Sequence, residues 1–323
     1  MIERILNRPE FAERPPVLVE VGASGGTHAA WKGIARWSVC IAFDPDSREM
    51  RKVEGEAAGY RTLHILPAAA VADDVAEADF YLTRSPYCSS LLPPDQNALA
   101  DWDFAGLFEV ERTARVRCRQ LSSVLGDLNI TQVDWFKSDS QGTDLPLFLS
   151  LGEGICRRVL AAEFEPGIID AYSGEEKLSA TLSAMDRPEF WVSDLRVLGT
   201  LRIPAARANR WSDADRELAR EVLPRSPGWV EMTCLNTFRG DGPFGIREWL
   251  LGWVIATEKN QHGFALDLAG RAAALFSDPI FRELGEESER RIEEAMRRGR
   301  MGHGIRTFRK RLGGFLRRKF QGD

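Results

Sequence analysis

The chain reads as an α/β protein, a doubly wound and mainly parallel sheet followed by a helical extension. Three observations predict this. Apolar strand-like runs alternate with amphipathic helix-like runs from residue 17 to residue 203. The first run feeds into a glycine-rich turn at Gly22, Gly25 and Gly26. Beyond residue 213 the pattern becomes helical. With 323 residues, 44% of them hydrophobic, the chain can bury one large core or two modest ones.

Taken in order, strands are predicted at 17–23, 39–44, 61–66, 79–83, 133–139, 158–164 and 190–195, mostly as continuous apolar runs suited to burial on both faces. Helices are predicted between several of them, at 28–37, 47–58, 145–151 and 175–185. The stretch "IPAARANRWSD" (203–213) reads as a linker and divides the chain into a cofactor-binding domain, 1–203, and a helical extension, 204–323. The extension is expected to hold helices at 213–223, 245–259, 264–276, 279–298 and 305–320, interrupted by the turn-rich "PRSPGW" and "RGDGPFG".

Composition narrows the function. No apolar run approaches the roughly 20 residues needed to span a bilayer. The charged start "MIERILNRPEFAERPP" lacks an apolar segment, so no secretory signal is expected. Five scattered cysteines with no Cys-x-x-Cys pair read as reduced cytoplasmic thiols, and the four histidines lack metal-ligand spacing. No metal site is expected. The net charge of −5 conceals ten Lys/Arg and no acid between Arg297 and Phe320. An acidic body with a basic tail argues against a nucleic-acid-binding body.

Glu20 interrupts the first apolar run, and Asp44 closes the second, 24 residues further on. An acid at the tip of the second strand of a nucleotide fold accepts hydrogen bonds from ribose hydroxyls. The glycine turn has two readings: a tight βα turn in which glycine supplies a positive φ, or a backbone approached closely by a cofactor at a helix N-terminus. The nicotinamide pattern G-x-G-x-x-G is absent. Glu20, Gly22, Ser24 and Gly26 instead spell E-x-G-x-S-x-G.

That pattern is similar to the first motif of class I S-adenosylmethionine-dependent methyltransferases, with Ser24 at the middle glycine position. "VDWFKSDSQGTDLPLFLSLG" (133–152) resembles the D-x-x-G-x-E signature of the FkbM-type methyltransferases, carried here by Asp139, Gly142 and Asp144. Asp144 replaces the usual Glu, and Asp44 stands where Glu is commoner. "FDPD" (43–46), "SPYCSSLLPPD" (85–95) and the segment 161–195 follow in the order that family shows. The resemblance covers residues 15–203 well and the remainder loosely. It implies a seven-stranded class I sheet with S-adenosyl-L-methionine across the carboxyl ends of its strands. Glu20, Gly22, Ser24 and Gly26 would hold the methionine end and Asp44 the ribose, with Asp139 alongside. It also implies methyl transfer to a hydroxyl of a glycan or small molecule, as in polysaccharide biosynthesis.

Transfer to oxygen needs in-line alignment and a group to take the hydroxyl proton. Asp139 is the first candidate base, with a helix N-cap before Leu145 as its alternative role. Glu163 and Glu165 end another strand, and Glu163, within an apolar run, is expected to face inward. Lys137 shares a strand face with Asp139 and is expected to pair with an acid. His28 is expected on the solvent side of a first helical turn. Ser89 and Ser90 lie either in a loop over the substrate or in an ordinary polar turn. Trp31, Trp37, Trp249 and Trp253 are expected in the core.

Two other functions share these features: a catalytically inactive cofactor-binding or scaffold protein of the same fold, and a nicotinamide oxidoreductase, which lacks the second fingerprint glycine. In the tail, Ile305, Phe308, Leu312, Phe315, Leu316 and Phe320 fall on one face of a basic helix. Such a helix either touches an anionic membrane peripherally, binds a partner's acidic groove, or packs on its own body or across a homodimer.

Overall fold

The computed structural model describes residues 1–23, 26–46, 53–239 and 244–319, with side chains through residue 300. Strands in chain order are β1 (Val17–Val21), β2 (Val39–Phe43), β3 (Thr62–Leu66), β4 (Ala69–Val71), β5 (Glu77–Thr83), β6 (Val110–Gln120), β7 (Trp135–Ser138), β8 (Ala161–Phe164), β9 (Phe190–Thr200) and β10 (Ser226–Asn236). Every residue of β1 and β8 is buried, as parallel strands covered on both faces require.

Seven strands form one sheet in the order β3-β2-β1-β7-β8-β10-β9. The pairs β2–β3, β1–β2, β1–β7 and β7–β8 are parallel. β10 runs antiparallel to both its neighbours, β8 and β9. Without β10 this is the strand order of a dinucleotide-binding sheet, whose direction of growth reverses between β1 and its partner β7. Val19, Ile41, Phe43, Phe136, Phe148 and Phe164 pack into the core beside the sheet. Each such side chain contributes roughly 1.5–3 kcal/mol by burial.

The structure departs from the sequence reading in identifiable places. The strand predicted at 79–83 belongs, as β5, to a separate sheet in the order β4-β6-β5. Residues 28–37 form no α-helix but two 3₁₀ turns, Ala29–Trp31 and Ala35–Trp37, with Gly33 between them. Of the predicted helix 47–58, residues 47–52 lie outside the described residues. The two last predicted helices are one, Ile280–Lys319. The expected face on residues 305–320 lies outside the described side chains.

The boundary expected at residue 203 also moves. β10 returns to the sheet after it, and the chain divides into one compact unit of residues 6–247 and another of residues 1–5 with 248–323. A buried ion pair marks the end of the larger unit. Arg247 donates to both carboxylate oxygens of Asp134 (2.9 and 2.8 Å) and to the carbonyls of Arg14 and Pro15, while Asp134 also accepts the Val17 N–H at the start of β1. Removing one partner would strand the other as an uncompensated buried charge. β10 carries a bulge between Pro227 and Trp229. There the Gly228 carbonyl accepts the Ile168 and Ile169 N–H groups at 2.8 and 3.1 Å.

In the smaller unit, Trp253 donates to Ser288 Oγ at 2.9 Å between the helices Ile246–Glu258 and Ile280–Lys319. Trp253 and Trp249 are buried, as is Trp31 in the larger unit, whereas Trp37 is half-buried beneath the Arg36 guanidinium and donates to Asn7. Among the described residues no helix is long and apolar enough to cross a membrane.

Candidate active site

The carboxyl ends of β1, β2 and β7 open onto a cleft walled by Val21, Gly22, Phe43, Asp44, Asp139 and Ser140 among others. The N–H groups of Gly22 and Ala23 both reach the Phe43 carbonyl (3.0 and 3.1 Å), and the Asp139 N–H reaches the Val21 carbonyl (3.0 Å). Gly22 has φ +78°, and a Cβ there would lie 2.2 Å from the Asp139 carbonyl oxygen. Glycine is therefore required by the left-handed backbone and by the turn after β7. Gly26, φ +118°, faces Glu56, whose carboxylate accepts the Thr27 N–H at 2.8 Å. Ser24 lies outside the described residues. Asp44 is buried at the tip of β2 and accepts the Asp46 N–H at 2.7 Å.

Glu20 is buried on β1. Its carboxylate accepts the His28 N–H at 2.9 Å and stands 3.7 Å from Lys137 Nζ. Burial pushes its pKa up to about 7, against the pull of the Lys137 ammonium and the His28 N–H. Burial alone would push the Lys137 ammonium down. The carboxylates of Asp139, Glu20, Glu163 and Asp144 more than offset that and hold it above its ordinary value. Lys137 thus pairs with an acid as expected, and that acid is Glu20. His28 is half-buried and caps a 3₁₀ turn, its Nδ1 accepting the Ala30 N–H at 3.3 Å.

Asp139 does not cap the helix Asp144–Leu149, whose N-cap residue is Thr143. It turns into the cleft, where Gln141 Nε2 donates to its Oδ1 at 2.6 Å and Glu165 hydrogen-bonds to it. Burial first, and then carboxylate neighbours, raise both Asp139 and Glu165. Two such carboxyl groups in contact disfavour a second negative charge, so ionisation of one opposes ionisation of the other. Asp144 sets the loop that delivers them, accepting from Ser138 Oγ (2.6 Å), Ser140 N–H and Oγ (2.8 and 2.6 Å) and the Glu165 N–H (2.9 Å).

Glu165 lines a second, more apolar pocket of about 330 Å³ with Phe104, Phe108, Tyr172 and Trp229 in its walls. Tyr87 and Gln141 line both spaces. The carboxyl pair sits where they meet. Glu163, expected to face inward, does so, but its carboxylate accepts Trp135 Nε1 at 2.6 Å and it is in neither wall. Glu165 reaches the pocket instead. Ser89 lines the first cleft, and Ser90 Oγ donates to the Gln141 carbonyl at 2.8 Å.

Sequence reasoning missed Gln141 and Tyr172. Gln141 has φ +59°, a conformation a non-glycine residue adopts only under constraint. The Tyr172 hydroxyl lies 2.8 Å from both Gln141 Oε1 and the Cys88 carbonyl. Nothing in "SQGT" signals that placement.

A mainly parallel sheet whose order reverses between β1 and β7, with an acid at the tip of β2 and a cleft at that reversal, defines an open α/β protein with its cleft at the switch point where ligands of such sheets bind. The family model for the methyltransferase FkbM domain matches residues 20–185. The chain belongs to that family and is a methyltransferase. No curated protein matches it.

Proposed function

We propose that the protein is an S-adenosylmethionine-dependent O-methyltransferase acting on a hydroxyl of a glycan or small molecule, built on a doubly wound sheet with a C-terminal helical extension. The observation that carries this reading is the junction of two clefts at one carboxyl pair. The polar cleft over β1, β2 and β7 fits the cofactor's chemistry: Asp44 suits the ribose hydroxyls, and Phe43, Ala70 and Phe80 give apolar wall for a flat base. Glu20, beneath the cleft on β1, lies in neither wall, and its role in the proposed site is to anchor the His28 N–H and Lys137 beside the glycine turn. When bound, the cofactor supplies an activated methyl group on a sulfonium.

The chain's own residues then do three things. The aromatic pocket positions the acceptor and excludes water, so that attack proceeds in line. The Asp139–Glu165 pair takes the acceptor's hydroxyl proton as general base. Lys137 remains charged beside the pair and steadies its negative charge, while Tyr172 and Gln141 hold Asp139 in place. Calorimetric titration with S-adenosylmethionine, S-adenosylhomocysteine and NAD tests the proposal. Binding of the first two and not the third is expected, and the converse would overturn it.

A further inference from the structure

The aromatic pocket does not end at its rings. Phe104 and Trp229 stack at 6.1 Å with an interplanar angle of 7°, and together with Leu107 they form a wall shared with a third space of about 420 Å³. The far side of that space is cationic. Arg84, Arg216, Arg220 and Arg225 line it, against the single carboxylate of Asp103. Asp103 is already engaged, accepting from Thr200 Oγ1, from the Leu201 N–H (3.1 Å) and from Arg220 Nε (2.8 Å). Arg84 and Arg216 hold only exposed partners, Glu109 and Asp213. Arg225 is exposed and makes no ion pair with a described residue. Exposed pairs of this kind are weak, and an arriving oxyanion can replace them. Guanidinium groups bind phosphate and carboxylate bidentately.

The three spaces therefore form a series: the cofactor cleft, the ring pocket joined to it at Tyr87 and Gln141, and the arginine groove joined to the ring pocket at Phe104, Leu107 and Trp229. Resting on the reading of the first two as cofactor and acceptor sites, we propose that the acceptor is anionic. It presents its reactive hydroxyl to Asp139 and Glu165, lays a ring between the aromatic side chains, and extends a phosphate or carboxylate into the groove of Arg84, Arg216, Arg220 and Arg225. Phosphate and carboxylate share this chemistry, and the test separates them.

The probes are phenyl glucoside, phenyl glucuronide and the phosphate monoester of phenyl glucoside, which share a ring and hydroxyls and differ in charge. Each is titrated calorimetrically into the full-length protein, with and without S-adenosylhomocysteine, at low and high salt. One or both anionic probes should bind about tenfold or more tightly than the neutral one at low salt, with the advantage shrinking as salt rises. The tighter of the two identifies the preferred anion. Arg216→Ala/Arg225→Ala should level the three affinities and leave cofactor binding unchanged. Arg225→Ala alone removes an exposed cation that pairs with no described residue and should lose part of the advantage while leaving the fold intact. Equal binding of all three probes, an anionic preference that survives the double variant, or no binding of any probe would each overturn the proposal. Failure of S-adenosylhomocysteine to bind would defeat the parent reading alone, since the affinities are also read without it.

Discussion

Replacing Glu20 by Gln should make the ligand-free protein more stable at mildly alkaline pH, the reverse of what altering a buried polar side chain usually does. Glu20 is 2% exposed, and burial lifts its carboxyl from 4.5 to about 7 despite Lys137 at 3.7 Å and the His28 N–H at 2.9 Å. Between those two values the folded chain holds a proton that the unfolded chain has released, so stability falls as pH rises through the window and levels off above it. At about 1.4 kcal/mol for each pH unit of displacement, the whole loss is roughly 3 kcal/mol. Gln keeps the shape, can still accept the His28 N–H through its amide oxygen, and does not titrate. Urea unfolding of both proteins across the window gives a difference curve that isolates Glu20, because Asp139 and Glu165 titrate in each. The curves should meet at the acid end and separate by up to about 3 kcal/mol in the variant's favour at the alkaline end. Parallel curves, or a variant less stable throughout, would refute the reasoning.

Three further outcomes are expected. Asp44→Ala should weaken S-adenosylmethionine binding by about 2–3 kcal/mol through loss of charge-assisted hydrogen bonds, with little change in thermal midpoint; unchanged affinity by calorimetry would remove Asp44 from the site. Asp139→Asn should slow methyl transfer by roughly 10²–10⁴-fold, and Glu165→Gln should slow it and shift the pH–rate profile, with cofactor affinity little changed in both. Near-normal turnover of Asp139→Asn would leave Asp139 a positioning role. On the reading of the basic tail as a membrane contact, the full-length protein should co-sediment with anionic liposomes at low salt and deleting residues 302–323 should abolish it, each basic side chain near the surface contributing about 1 kcal/mol. A truncated protein that aggregates would instead assign the tail to the folded body.

The parallel half of the sheet was legible because β1, β2, β7 and β8 are short apolar runs bounded by turn residues. β10 was not, because Pro227 and Gly228 look like a turn and in fact form a bulge inside an eleven-residue strand. β6, "VERTARVRCRQ", alternates charge with small and apolar residues and is mostly exposed, so no buried-strand signal marks it. Within the site, the acids at strand ends were readable as a class. Which of Glu163 and Glu165 reaches the pocket was not, since strand alternation stops at Phe164 and the Glu165 N–H is then drawn to Asp144, 21 residues earlier. Gln141 could not be foreseen, because its position follows from a left-handed backbone that only the packed loop imposes.

The bulge in β10 has a consequence for how this enzyme's selectivity is inherited. The segment that matches the family model, residues 20–185, ends before β9 begins, yet Trp229 and three of the groove's four arginines lie beyond it. On the proposed reading, the proton-accepting carboxyl pair and part of the acceptor's enclosure are thus written in separate stretches of the gene. Substitutions after residue 185 would then alter that enclosure while the carboxyl pair and glycine turn stay untouched.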